Sequence, residues 1–188
     1  MRHWTLLGEA PIPGTGTCLS LYQGKDDFFI KLTGPHGGGQ ELMNTRKHGS
    51  EDALGALPCK RLANPANARV LIGGLGMGFT LAAALKAVGQ DAEVTVAELI
   101  PEVVAWNRGP LGERSGRPLD DPRTRVYVGD VVRLLRRSQA CFDVIALDVD
   151  NGPEGLTRDS NDWLYSLPGI ESGRKALRPG GILAYWSA

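Results

Sequence analysis

The sequence predicts an α/β protein built on a doubly wound, mostly parallel sheet, preceded by a small antiparallel β unit. Two observations carry this. From residue 69 onward short apolar runs alternate with helical patterns, and the runs VLI and VIAL lack polar alternation, as strands covered on both faces should. Before about residue 46 the rhythm differs: TCLSLYQ, DFFIKLT and QELMNTR are short and separated by turn residues, which suits three or four antiparallel strands.

Residues 1–46 are therefore expected to form the β unit, with GPHGGGQ as a flexible turn. Residues 47–68 are expected to be a connecting helix and loop; Ala53, Leu54 and Leu57 have helical spacing, Ser50 is the expected cap and Pro58 the expected stop. Residues 69–188 carry strand candidates at 69–74, 93–99, 125–130, 142–150 and 181–188. Helical patterns lie between them in FTLAAALKAVG, PEVVAWNR, VVRLLRRS and PGIESGRKAL. LRPGG, Leu177 to Gly181, reads as a helix stop and a turn into the last strand.

Composition narrows the functions. A chain of 188 residues can bury one sizeable core. Twenty-one Lys and Arg balance 21 Asp and Glu, so no net positive field attracts nucleic acid or an anionic membrane, and neither is expected as a partner. No signal-peptide pattern and no run of 18 apolar residues occurs. Cys18, Cys59 and Cys141 are widely spaced and form no CxxC pair, which points to a cytoplasmic setting rather than a disulfide framework or a zinc site. His3, His36 and His48 lack ligand spacing and are read as solvated, so no metal is expected. Glycine, at 25 residues, is well above the usual level of about 7% and directs attention to glycine loops.

The first such loop is Gly73-Gly74-Leu75-Gly76-Met77-Gly78, where strand candidate 69–74 gives way to an apolar helix. Glycines there let a ligand approach the backbone, and the helix start offers free N–H groups, although a tight turn without ligand would use the same residues. Phe79 stands at the third glycine position of a dinucleotide fingerprint, which argues against an NAD-dependent dehydrogenase. Glu98 ends the next strand 20 residues after Gly78, where an acid can accept hydrogen bonds from both hydroxyls of a ribose. Asp130 follows the third strand; facing an adenine amino group and capping the helix at Val131 are equally good readings. DVDNGPEG ends the fourth strand, and Asp148 and Asp150 would face the same side if both are extended, a pair suited to an amine. The alternative is an Asx turn into Asn151-Gly152-Pro153.

Taken together, VLIGGLGMG, Glu98, DPRTRVYVGD, FDVIALDVDNGP and LRPGGILA resemble the spermidine synthase family of polyamine aminopropyltransferases, a branch of the Rossmann-like class I S-adenosylmethionine-dependent methyltransferase fold. LMNTRKHGSEDALGALP resembles the family's join between its N-terminal β unit and the nucleoside-binding domain, so the likeness covers about residues 15–188. The resemblance implies a transferase moving an aminopropyl group from decarboxylated S-adenosylmethionine to an amine such as putrescine, as a homodimer with no prosthetic group. It implies that Gly73, Gly74, Gly76 and Gly78 form the donor loop, that Glu98 holds the ribose and that Asp130 faces the adenine. Asp148, with Asp150, would deprotonate the amine before it attacks the carbon beside the sulfonium.

The sequence departs from the family at three places. Gly76 stands where the family has an Asp contacting the aminopropyl end of the donor; Ser50, Glu51 and Asp52 align with its Tyr-His-Glu, without the tyrosine; and its acidic loop is shortened around Asp150. Gly76 removes a charge that would repel the carboxylate of intact S-adenosylmethionine, so an S-adenosylmethionine-dependent methyltransferase is the alternative reaction, and a non-catalytic homologue the alternative class. The fold usually adds two strands beyond a fifth. Their expected absence after Ala188 would leave ILAYW as an exposed edge, the mark of a truncated chain or of an edge covered by a partner. Trp4, Trp106, Trp163 and Trp186 are read as core or rim aromatics, with the lining of an acceptor pocket as the alternative for Trp163, and Arg133, Arg136 and Arg137 form a solvated basic face.

Overall fold

A computed structural model describes residues 4–34, 39–149 and 159–187. Four antiparallel strands come first, β1 (Thr5–Pro11), β2 (Cys18–Gln23), β3 (Phe28–Thr33) and β4 (Gly39–Asn44), joined in sequence order into one sheet. Helix α1 (Gly49–Lys60) then leads to β5 (Arg69–Gly73), α2 (Phe79–Ala87), β6 (Glu93–Glu98), α3 (Pro101–Arg108) and α4 (Pro110–Arg114). Strand β7 (Thr124–Val128), α5 (Val131–Arg137), β8 (Phe142–Leu147), α6 (Asp159–Tyr165), α7 (Leu167–Ala176) and β9 (Leu177–Tyr185) complete the chain.

The second sheet is wholly parallel in the order β7-β6-β5-β8-β9, so the direction of winding reverses between β5 and β8. In open α/β sheets that reversal leaves a crevice at the carboxyl ends of the strands. Burial on both faces explains the unbroken apolar runs. Val70 and Ile72 of β5, with Val144 and Ala146 of β8, enter one core with α2 and α3. Leu71, Ile145 and Leu147 point the other way, onto Val131, Val132 and Leu135 of α5 and Ala176 of α7.

A third cluster joins the two sheets. Leu21, Phe28 and Ile30 of the small sheet pack with Met77 and Phe79 at the glycine loop and with Leu111 of α4. Trp106 of α3 reinforces this contact, its Nε1 only 3.0 Å from where a Cβ on Gly8 of β1 would sit.

Several local expectations need correction. Ser50 lies inside α1 rather than capping it; its hydroxyl donates to Glu51, and His48 occupies the cap position. Pro58 also lies inside α1, because the buried face of Leu54, Gly55, Pro58 and Cys59 holds the helix together for two more residues. A Cβ on Gly55 would lie 2.2 Å from the Thr80 carbonyl oxygen, so only glycine lets α1 approach α2 this closely. β9 begins at Leu177 rather than at Gly181: Leu177 pairs with Phe142, the register shifts, and pairing resumes at Ile182, with Gly180 at φ +81° taking up the irregularity. His48 is not freely solvated. Its ring stacks on Phe79 at 3.9 Å between centroids, and its Nδ1 lies 2.8 Å from Asp52. His3, His36 and Asp150 lie outside the described residues.

Candidate active site

Four strands of the parallel sheet end side by side, and backbone hydrogen bonds tie their ends into one row. Gly129 N donates to Glu98 O at 2.7 Å, Gly74 N to Ala97 O at 2.8 Å, and Asp148 N to Gly73 O at 2.7 Å. Above this row lies a cavity of about 830 Å³, counted to its open mouth, lined by Gly74, Gly76, Glu98, Asp130 and Asp148. Those five residues are all ones the sequence singled out. Gly73 and Gly78 stand just outside the lining and shape the loop.

Glycine is required by the geometry at two of these positions. Gly74 has φ +90°, and a Cβ there would lie 2.0 Å from the Asp148 carbonyl oxygen. Gly78 has φ +84° at the cap of α2, and its Cβ would collide with Ser115 and Asn107. The loop is held from outside by Asn107, 1% exposed, whose Nδ2 donates to Gly76 O at 2.8 Å and to Val103 O at 3.0 Å.

Glu98 is buried beneath the loop. Its Oε2 accepts from Leu75 N and its Oε1 from Ile100 N, both at 2.9 Å. Burial pushes its carboxyl above the ordinary range, while these backbone N–H groups pull against the rise. The backbone N–H groups of Gly76 and Leu99 also act on this carboxylate in the same sense. Asp130 caps α5 by accepting from Val132 N with Oδ1 at 2.8 Å, which leaves Oδ2 for the cavity. The two readings of that residue are thus compatible.

Asp148 sits at the end of β8, half-buried, and accepts from the Thr80 hydroxyl with Oδ2 at 2.6 Å. Burial pushes its carboxyl up to about 6; the Thr80 hydrogen bond opposes the rise and the nearby Glu51 carboxylate adds to it.

Sequence reasoning missed several contributors. Thr80 was visible as the lone hydroxyl in the apolar run FTLAAAL, and Asn107 as the lone amide in VVAWNR. The apolar wall from the small sheet, Ile12, Leu19, Ile30, Leu42 and Met43, gave no local signal because it depends on how the two sheets dock. Trp163 does not line this cavity: it belongs to the core beside α5, with the Arg136 guanidinium 4.3 Å over its ring. Arg136 is accordingly a stacked residue rather than a merely solvated one. Among the described residues no group of His, Cys, Asp and Glu is arranged to hold a metal, and no helix is long and apolar enough to cross a membrane.

Comparison with known proteins places this architecture. Putrescine N-methyltransferase 4 of Nicotiana tabacum is 32% identical over 173 residues, which are 87% of this chain and 42% of that protein. Polyamine aminopropyltransferase of Korarchaeum cryptofilum is 31% identical over 123 residues, 65% of this chain and 35% of the relative. The chain thus spans less than half the length of these relatives. The crystal structure of spermidine synthase from Thermotoga maritima superposes with a TM-score of 0.73 at 20% identity, over 96% of this chain and 56% of that one. A spermidine synthase in complex with the transition-state analogue AdoDATO matches equally, at 0.73 and 20%, over 96% of this chain and 55% of that one, so the fold is shared. Residues 48–187 match the spermine/spermidine synthase domain, and the chain belongs to that family.

Proposed function

We propose that the chain binds an adenosyl sulfonium donor over the Gly73–Gly78 loop and transfers the donor's aminopropyl group to a small amine such as putrescine. The observation that carries this reading is Asp148: it faces the same cavity as Glu98 and Asp130, and Thr80 fixes its carboxylate. Glu98 would accept from the ribose hydroxyls and Asp130 would face the adenine. Decarboxylated S-adenosylmethionine is the donor in this reading, and the reaction needs no prosthetic group or metal, because the sulfonium already carries a good leaving group, a neutral thioether.

In the transfer, the amine nitrogen forms a bond to the carbon beside sulfur while the carbon–sulfur bond breaks. Its electron pair returns to sulfur, and a neutral thioether leaves while the positive charge passes to the new secondary ammonium. A carboxyl near 6 is ionised at neutral pH, so Asp148 can attract the cationic form of the amine and take one N–H proton before attack, which frees the nitrogen lone pair the displacement needs. Asp150, as a second acid, remains part of the proposal. The same reading carries a cytoplasmic setting and a homodimer. The free state of Cys18, Cys59 and Cys141 supports the first.

Methyl transfer from intact S-adenosylmethionine is the second reading, and a specific contact favours it. The Met43 Sδ lies 3.3 Å from where a Cβ on Gly76 would project, so this part of the cavity is apolar where the family's acid would stand. Mass spectrometry of the products from putrescine with each donor separates the readings. Spermidine formed only with the decarboxylated donor supports aminopropyl transfer. N-methylputrescine with the intact donor replaces it by methyl transfer, and no product with either overturns both.

A further inference from the structure

Resting on the reading of Asp148 as proton acceptor, we propose that Thr80 is the residue that positions it. Thr80 is the second residue of α2, so its hydroxyl has no helical carbonyl four residues behind it to bond back to. It crosses instead to Asp148 Oδ2 at 2.6 Å, a partner 68 residues away in the chain.

Both ends of this hydrogen bond are anchored. Thr80 is 2% exposed, and its backbone is pressed against Gly55 of α1, so α2 cannot slide. Asp148 is fixed by its own N–H on Gly73 O at 2.7 Å. The carboxylate is therefore held by Oδ2, and among the described residues no hydrogen bond occupies Oδ1, the oxygen that would face the amine. Among the described residues the other charged groups facing Asp148 are acidic: Glu51 on α1, Glu98 at the end of β6 and Asp130 after β7. Among the described residues no Lys, Arg or His lines the cavity, so the neutral hydroxyl donor is what favours the ionised form there.

Thr80→Val keeps the shape and removes the donor. Loss of a hydrogen bond to a charged group should raise the Asp148 titration by about one unit. The acid limb of the pH–rate profile then moves up, with activity lower by about fivefold at pH 6, about twofold at pH 7 and near parity at pH 9. Thr80→Ser, which retains the hydroxyl, should restore the native profile, and a Ser/Ala pair replaces Val if the valine variant does not fold. The carboxyl carbon of Asp148, observed by NMR in ¹³C-aspartate-labelled full chain and assigned by its loss in Asp148→Asn, reports the same shift without turnover. An unchanged Asp148 titration in Thr80→Val, or a serine variant that behaves like valine, overturns the inference. A native chain that makes no product refutes the proposed reaction instead, and the NMR titration still decides the role of Thr80.

Discussion

Replacing Asp148 by Asn should stabilise the fold at neutral pH while removing transfer activity. The carboxyl ordinarily titrates at 3.8 and is pushed up to about 6 in the folded chain, so the folded state binds its proton more tightly than the unfolded state. Ionising Asp148 thus opposes folding. The opposition is absent below the ordinary value, grows as pH rises through about 6, and is constant above that. Two pKa units correspond to about 3 kcal/mol at pH 8 and to roughly half as much at pH 5. Asn keeps an oxygen that can accept from Thr80, so the substitution removes the charge and leaves the hydrogen bond. Urea denaturation of both proteins at pH 8 and pH 5, followed by tryptophan fluorescence, measures the difference. Equal stability at pH 8, or a gain that does not shrink at pH 5, would refute the placement of a destabilising charge at this strand end.

Other expectations follow from the same geometry. Gly74→Ala should cost at least about 2 kcal/mol and abolish donor binding, since its methyl would meet the Asp148 carbonyl and its φ is +90°; thermal unfolding and calorimetry read both. Glu98→Gln turns an amide toward the N–H of Leu75 or Ile100, and the lost charge-assisted bond should weaken nucleoside binding about 10- to 100-fold in calorimetric titration. Gly76→Asp should move donor preference by about tenfold toward the decarboxylated form, since an acid there repels the carboxylate of intact S-adenosylmethionine. Competition between the two donors tests this, and an unchanged ratio counts against it. Cys59, fully buried with its thiol pushed up to about 11, should resist alkylation at pH 8 until the chain unfolds, whereas half-buried Cys18 and Cys141 react first. Peptide mass mapping after timed alkylation gives the order.

The parallel sheet was legible because its strands are buried on both faces, and that constraint writes unbroken apolar runs such as VLI and VIAL into the sequence. Gly74, Glu98, Asp130 and Asp148 were legible for a related reason: each ends a strand, and strand ends next to the winding reversal converge. Features depending on contacts between distant segments were not legible. Pro58 reads locally as a stop, but packing of α1 on α2 through Gly55 outweighs one missing hydrogen bond. Thr80 is one hydroxyl in the apolar run FTLAAAL, and only the docking of α2 beside the end of β8 gives it the Asp148 carboxylate. Met43 and Ile30 read as strand residues, and only the docking of the small sheet makes them a wall of the cavity.

The cluster of Leu21, Phe28 and Ile30 with Met77 and Phe79, beside Leu75 in the core of the parallel sheet, makes the Gly73–Gly78 loop part of two cores at once. Undocking the small sheet would therefore expose the residues interleaved with Gly76 and Gly78, and the loop could not keep its shape alone. Ligand capture and sheet docking become one cooperative unit, so an occupant of the loop slows amide exchange in β2 and β3, strands that contribute only an apolar wall to the pocket.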